Sequence, residues 1–209
     1  MLHRSPFHDA LRVAREVLVA CEADASLARS FDRFVELACA TLSRGGRLYV
    51  CGNGGSMSDA MHFAEELVGR FRETRSPLPA LAFSDPATLT CIANDFGFEE
   101  VFARQVEAHG QPGDLLLCLS TSGESANVVR AARAAREREI ATVALLGRDG
   151  GKLAARVDLA LVVPHAVTPD RIQEIHLLLL HAAIEGIEAG LGAEGDGGGL
   201  SERTDTSVR

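Results

Sequence analysis

His62 and Glu66 stand four residues apart within the stretch Cys51-Gly-Asn-Gly-Gly-Ser-Met-Ser-Asp-Ala-Met-His-Phe-Ala-Glu-Glu-Leu67. On a helix that spacing puts an imidazole and a carboxylate on one face, where they can meet one substrate or one metal ion; taken alone, such a pair is more often a plain solvated one. A second reactive set, Ser120-Thr-Ser-Gly-Glu-Ser125, gathers the hydroxyls of Ser120, Thr121, Ser122 and Ser125 around a glycine. With a helix following, unpaired N–H groups and the helix dipole favour a phosphate there. No lysine is present and the spacing is not of the Walker type, which argues against nucleoside triphosphate hydrolysis. The plainer alternative makes Ser122 only a helix cap.

A third stretch, Gln173-Glu-Ile-His-Leu-Leu-Leu-Leu-His181, carries His181 deep in an apolar run. On a helical wheel Glu174 lies about 20° from His181 and Gln173 about 80°, so spacing alone favours Glu174 as its partner. His176 reads as a structural or supporting residue. Asn94-Asp95 serves equally as a pair for sugar hydroxyls or as an Asx turn. Arg70 and Asp170 are further candidates, for a phosphate and a hydroxyl respectively.

These groups need elements to present them. Gly52, Gly54 and Gly55 free the backbone for a tight turn between a β-prone run, 47–51, and a helix reaching about residue 72. Apolar strands at 80–83, 114–119, 140–146 and 157–163 alternate with helical stretches at 87–93, 98–108, 125–138 and 151–155, and a helix over 169–189 closes the chain. That alternation predicts a doubly wound parallel sheet covered on both faces. Ligands of such sheets sit beyond the carboxyl ends of the strands, where the glycine turn and the serine loop both fall. Two helices, from Ser5-Pro6 to about 22 and over 26–43, precede the first strand, with Ser5 as a hydroxyl cap. An uncovered apolar edge on that pair is a natural oligomerisation surface.

With 209 residues and 46% hydrophobic content the chain supports one sizeable core. One domain is expected over 1–190; residues 191–209, glycine-rich and polar without core-forming periodicity, are expected to form a flexible tail. A net charge of −8 argues against a nucleic-acid surface, which needs a positive field. Cys21, Cys39, Cys51, Cys91 and Cys118 form no C-x-x-C pair and read as reduced, mostly buried thiols. The first 15 residues hold no uninterrupted apolar segment of the secretory kind, and no run approaches membrane-spanning length, so a cytoplasmic location without membrane partners is expected.

The blocks CGNGGSMSDAMHFAEELVGRF, SDPATLTCIANDFGFEEVFARQVEAHG, GDLLLCLSTSGESANVVRAA and DRIQEIHLLLLHAAIE together resemble the phosphoheptose isomerases of the sugar isomerase (SIS) family, over roughly residues 8–189. The serine loop alone is shared by many SIS domains; the combination is far more specific. The resemblance implies a flavodoxin-like, doubly wound parallel five-stranded sheet with N-terminal helices, assembled as a homotetramer with sites near subunit interfaces. It implies an aldose–ketose isomerase acting on a sugar phosphate, sedoheptulose 7-phosphate, through an enediol, at the first step of nucleotide-heptose precursor synthesis.

Carried over by motif, Asn53, Gly54 and Gly55 contact the sugar, Asn94 and Asp95 line the pocket, and Ser120, Thr121, Ser122 and Ser125 hold the phosphate. Glu66 is the base and His181 the acid. One zinc ion per subunit is assigned to His62, Glu66, Gln173 and His181, with Gln173 also at the substrate, which replaces the wheel-based preference for Glu174. Met57-Ser58 departs from the His-Cys of some relatives without removing a catalytic role. The rival is a non-catalytic SIS tetramer that binds the bacterial replication initiator; such relatives share Gly-Asn-Gly and Arg-Ile-Gln-Glu but lack the full Glu/His pair.

Overall fold

Short runs of Leu, Val, Ala and Cys that are buried on both faces can satisfy their backbone groups only by pairing along their edges, and five such runs do so here. The computed structural model describes residues 5–166 and 168–195. Its strands are β1 (Leu48–Gly52), β2 (Ala80–Ala82), β3 (Leu115–Ser120), β4 (Ala141–Leu146) and β5 (Leu159–Val162), in the order β2-β1-β3-β4-β5. Every ladder is parallel. The order reverses between β1 and β3, so a crevice opens beyond their carboxyl ends, where the glycine turn and the serine loop lie.

The helices are α1 (Pro6–Ala23), α2 (Ala25–Ser43), α3 (Gly55–Val68), α4 (Pro86–Phe96), α5 (Ala103–His109), α6 (Ala126–Glu137), α7 (Gly151–Ala154) and α8 (Pro169–Gly195). Strand side chains alternate between two layers, as the period of two requires. Leu48, Val50, Leu115, Leu117 and Leu145 meet Phe34 of α2, Phe63 and Leu67 of α3, and Leu180, Ile184 and Ile187 of α8. Tyr49, Cys51, Leu116, Cys118 and Leu146 meet Ile92 of α4, Val106 of α5 and Val128 and Ala131 of α6. Each fully buried Leu, Ile or Phe stabilises the fold by roughly 1.5–3 kcal/mol. The important consequence for the site is that α3 and α8 share a layer.

Asp24 alone separates α1 from α2: its N–H donates to Cys21 O, and its carboxylate accepts from the N–H groups of Ser26 (2.8 Å) and Leu27 (3.0 Å). Ser5 forms no such side-chain cap, so the start of α1 relies on Pro6, contrary to the expected hydroxyl cap. Three boundaries also differ from those read in the sequence. α3 ends at Val68, near Gly69, rather than at about 72. The stretch 98–108 divides into a 3-10 turn, Phe98–Glu100, and α5, because Val101 and Phe102 turn fully into the core. α8 continues to Gly195, past the expected end at 189; the remainder of the expected tail, from 196, lies outside the described residues. All five cysteines are free, and Cys91 is exposed rather than buried.

Over Pro169–Gly192, α8 is long and apolar enough, by length and composition, to cross a membrane, which corrects the expectation that no run approaches that size. Ile172, Leu180, Ala183, Ile184 and Ile187 are nevertheless buried in the fold, so part of that apolarity serves the core.

His176 of α8 fastens that helix to the sheet: its Nε2–H donates to Leu146 O at the end of β4 (3.2 Å), while Nδ1 is buried without a partner. The supporting reading of His176 is the one its position fits. Burial lowers its pKa from 6.5 to about 4, against the weaker opposing pull of the Leu146 carbonyl. The unfolded chain therefore binds this proton more readily, and the stabilisation is complete above about pH 6.5 and lost as pH falls through about 4. The full effect is on the order of 3 kcal/mol. Urea unfolding between pH 4 and 7 should show stability rising with pH, and His176→Gln should flatten that slope; an unchanged slope in the variant would assign the acid sensitivity elsewhere.

Candidate active site

β1 ends in the crevice at Gly52, and the chain turns through Asn53 and Gly54 into α3. A side chain at Gly55 would collide with Gln173: its Cβ would lie 2.1 Å from Nε2. The Gln173 amide is therefore seated on the first turn of α3, and only glycine lets it approach so closely. Asn53 and Asn127 exchange amide hydrogen bonds, each Nδ2–H donating to the other's Oδ1 at 2.8 Å. That pair ties the glycine turn to the start of α6. Asn127 escaped the sequence reading because it lies two residues past the serine motif, in what looked like ordinary helix.

Within the serine loop two hydroxyls shape the loop itself. Ser120 Oγ accepts from the Gly123 N–H (3.0 Å) and Ser122 Oγ from the Glu124 N–H (3.2 Å). Ser125, not Ser122, holds the cap position of α6, and it makes no side-chain cap bond. The Thr121 and Ser125 hydroxyls thus have no protein partner among the described residues and remain available to a ligand. Gly123, with φ 65°, rests on the β4–α7 loop so closely that a Cβ would lie 1.9 Å from Gly150 O. Glu124 braces the same contact, accepting from the Lys152 N–H (3.0 Å) and pairing with Lys152 Nζ (2.7 Å).

Farther along the seam of α3 and α8, His62 Nε2 lies 3.1 Å from Glu66 Oε1, and His181 Nε2 lies 3.6 Å from Glu66 Oε2. The two imidazole Nε2 atoms are 3.5 Å apart. Phe71 stacks on the His181 ring, with centroids 5.8 Å apart and planes at 27°. Glu66 is only 14% exposed, and its Oε2 is buried with no hydrogen-bond donor. A buried carboxylate oxygen without a donor is costly, and two imidazole nitrogens aimed at the same point supply the lone pairs that a cation takes. One ligand atom from each of His62, Glu66 and His181 lies within 4.8 Å of the others, a set suited to a divalent ion such as zinc.

The fourth residue assigned to the metal, Gln173, rests at Gly55. It lies eight residues before His181, about 12 Å along the axis of α8, where its amide borders the crevice. Glu174, which the wheel favoured, is instead held by Arg171 through both carboxylate oxygens at 2.7 Å, on the exposed side of α8. Angular position on a wheel says nothing about whether a neighbouring helix covers that face.

Asn94 and Asp95 are exposed at the end of α4, with Asn94 Nδ2–H donating to Asp95 Oδ1 (2.7 Å). Arg70 is exposed as well, and Asp170 is exposed and bonded to Arg171 at 3.1 Å. The described contacts bring none of these four to the crevice. Asp59, one turn before His62, was missed; its Oδ2 is buried without a partner, and burial raises its carboxyl above the ordinary range against the pull of His62. Position on the Gly55–His62–Glu66 face of α3 was the available signal.

Residues 12–147 match the SIS domain family. The match stops short of α8, and with it of His181. Longer similarities span that helix. The chain is 50% identical over 167 residues to a phosphoheptose isomerase of Sodalis glossinidius, covering 80% of this chain and 86% of that protein. It is 46% identical over 187 residues to the Escherichia coli K12 phosphoheptose isomerase, covering 90% and 97% respectively. Among solved structures, the phosphoheptose isomerase of Neisseria gonorrhoeae superposes with a TM-score of 0.77 at 42% identity, covering 88% of this chain and 95% of that one.

The contact between the serine loop and Gly150 is testable without any substrate. Gly123→Ala forces a non-glycine residue into positive φ against a backbone oxygen, which should cost about 1–3 kcal/mol. In the folded variant, calorimetric titration with inorganic phosphate should show weakened binding. Unaltered stability and phosphate affinity would mean that the loop does not depend on this contact.

Proposed function

The chain belongs to the SIS-domain family, among its phosphoheptose isomerases, and on that premise we propose that it interconverts sedoheptulose 7-phosphate and D-glycero-D-manno-heptose 7-phosphate by moving a proton between C1 and C2. The observation that carries the site assignment is the convergence of His62, Glu66 and His181 on a buried carboxylate oxygen that has no donor. The rival, a non-catalytic partner of the replication initiator, is disfavoured by the same convergence, since it has no use for an intact Glu/His pair.

The phosphate enters the serine loop, meeting the Thr121 and Ser125 hydroxyls and the N–H groups opening α6. Gln173, Asn53 and the backbone of Gly54 and Gly55 line the path of the sugar chain toward the α3–α8 seam, and Asn94 and Asp95 are assigned to its outer wall. Glu66 removes the C1 proton as a carboxylate, and the ketone oxygen at C2 takes a proton from His181, which leaves an enediol. Return of the first proton to C2 and loss of the O1 proton then leave the aldehyde at C1. No atom or electron is gained overall. A positioned acid or base of this kind contributes ~10²–10⁴ in rate. His62, Glu66 and His181 would hold the zinc ion, and the bound metal would polarise the carbonyl as a Lewis acid; Gln173, seated at Gly55 about 12 Å along α8 from His181, does not reach that set within the subunit and is left to the substrate.

A homotetramer is part of the same reading. Phe7, Leu11, Leu18 and Val19 of α1, Met61 and Val68 of α3, Leu178 of α8, and Phe96 and Phe98 around the end of α4 are all exposed in the single chain. Apolar groups in that number on several faces are those of a surface covered by further copies. Such assembly would supply the surroundings that Asn94 and Asp95 lack in one subunit. The cytoplasmic assignment rests on the reduced cysteines and on the core role of α8.

Glu66→Gln keeps shape and one oxygen but removes the base, so turnover should collapse while fold and substrate binding survive. In heavy water, where the abstracted proton exchanges with solvent before it reaches C2, the wild type should incorporate deuterium at the transferred position and the variant should not; near-wild-type isomerisation by Glu66→Gln would place the base elsewhere. Ser125→Ala should act differently, weakening binding by about 1.5–3 kcal/mol for a bond to a charged group and leaving kcat nearly intact. Unphosphorylated sedoheptulose should turn over very poorly, and equal turnover of the two sugars would remove the phosphate from the mechanism.

A further inference from the structure

The segment that follows α3 makes contacts the reaction does not obviously call for. Arg75 Nη2–H donates to the backbone oxygen of Glu66 (2.8 Å), Nη1–H to those of Leu67 (2.7 Å) and Ser76 (3.1 Å), and Nε–H to Glu188 Oε1 of α8 (2.7 Å). The last carbonyls of a helix have no partner inside it, and a guanidinium satisfies two of them here with charge-assisted bonds. Glu188 is seven residues beyond His181, about 20° away on the wheel, so the pair fastens the catalytic face of α8 to the end of the helix bearing Glu66. Four residues earlier, Phe71 stacks on the His181 ring itself.

We infer that Phe71 and Arg75 are positioning residues for the isomerisation: Phe71 sets the plane of the His181 imidazole, and Arg75 with Glu188 sets how far Glu66 stands from it. This rests on the reading of Glu66 and His181 as the proton-transfer pair. A second rung, Arg72 Nη2 to Glu185 Oε1 (2.5 Å), runs beside the first, but the two differ in surroundings. Arg75 and Glu188 are 18% and 19% exposed, whereas Arg72 and Glu185 are 65% and 46% exposed. Water screens the outer rung and leaves it a weak constraint, while the inner rung holds its geometry. Without it, the Glu66 carbonyl loses its donor and Leu67 O keeps only the Leu78 N–H (3.0 Å), beside a half-buried carboxylate lacking its cation, and the helix end must shift to rehydrate the freed groups. A displacement near 1 Å at reacting groups can lower a rate by ~10²-fold.

The test compares Arg75→Met, Phe71→Leu and Glu188→Gln with the outer-rung control Glu185→Ala, in full-length protein whose folding is checked by circular dichroism. Steady-state kinetics with sedoheptulose 7-phosphate should show kcat down on the order of 10²-fold in Arg75→Met, with KM within about threefold, and a smaller loss of kcat in Phe71→Leu. Glu185→Ala should stay within about twofold of wild type. Cobalt(II) added to the metal-free proteins should give a visible spectrum altered in Arg75→Met and Phe71→Leu and unaltered in Glu185→Ala. If Arg75→Met fails to fold, Glu188→Gln and Phe71→Leu carry the same comparison. Wild-type kcat in the folded strap variants, or an equal loss in Glu185→Ala, overturns the inference. Glu66→Gln assayed alongside separates the two layers: its collapse with active strap variants defeats the strap alone, whereas its survival defeats the pair and the strap together.

Discussion

α3 and α8 share one layer of the sheet, and the seam between them is the constraint on which the reactive geometry depends. Both helices are anchored from below by apolar side chains, Phe63 and Leu67 on one and Leu180, Ile184 and Ile187 on the other, against the same strands. Their facing sides are then free to be polar. Along that face Gly55 receives Gln173, Glu66 and His62 meet His181, and Arg75 joins the end of α3 to Glu188. The contacts progress in the same direction on both helices, so the seam is a long polar groove over an apolar floor.

Its upper end opens into the crevice that parallel topology creates between β1 and β3. Here the protein uses side chains mainly to hold backbone in place. Asn53 and Asn127 consume each other's amides, Ser120 and Ser122 bond inside their own loop, and Glu124 braces that loop from outside. What is left for a ligand is small: two hydroxyls, the opening N–H groups of a helix and one glutamine amide. A negative overall charge of −8 is compatible with an anionic substrate because the attraction is this local.

The lower end is more demanding. Glu66 is buried, with one oxygen lacking a donor, and Asp59 one turn from His62 shows the same deficit. Native folds leave few such atoms, and each calls for an explanation. The groove is in this sense an incomplete polar network. Its supporting contacts come from outside the groove: His176 beneath α8, and Phe71 and Arg75 beyond the end of α3.

Much of this was legible before folding was considered. The alternation of apolar strands and helices, the glycine turn, the serine loop and the i,i+4 pair of His62 and Glu66 are local patterns, and local patterns follow from backbone geometry that a linear sequence records. The same locality produced the errors. A wheel preferred Glu174 because it measures angle on one helix, but the packing of α8 turned Glu174 toward Arg171 and solvent. Ser122 was read as a possible cap, yet Ser125 holds that position because the loop closes on Ser120 and Gly150. The sequence by itself determined which residues could do chemistry and which elements would carry them. Only the tertiary structure decided that Glu66 and His181, 115 residues apart (181 − 66), stand within 3.6 Å, and that Arg75 reaches both helices. Those distances are set by how α3 and α8 seat on the same strands, a property of packed volumes that no spacing along the chain encodes.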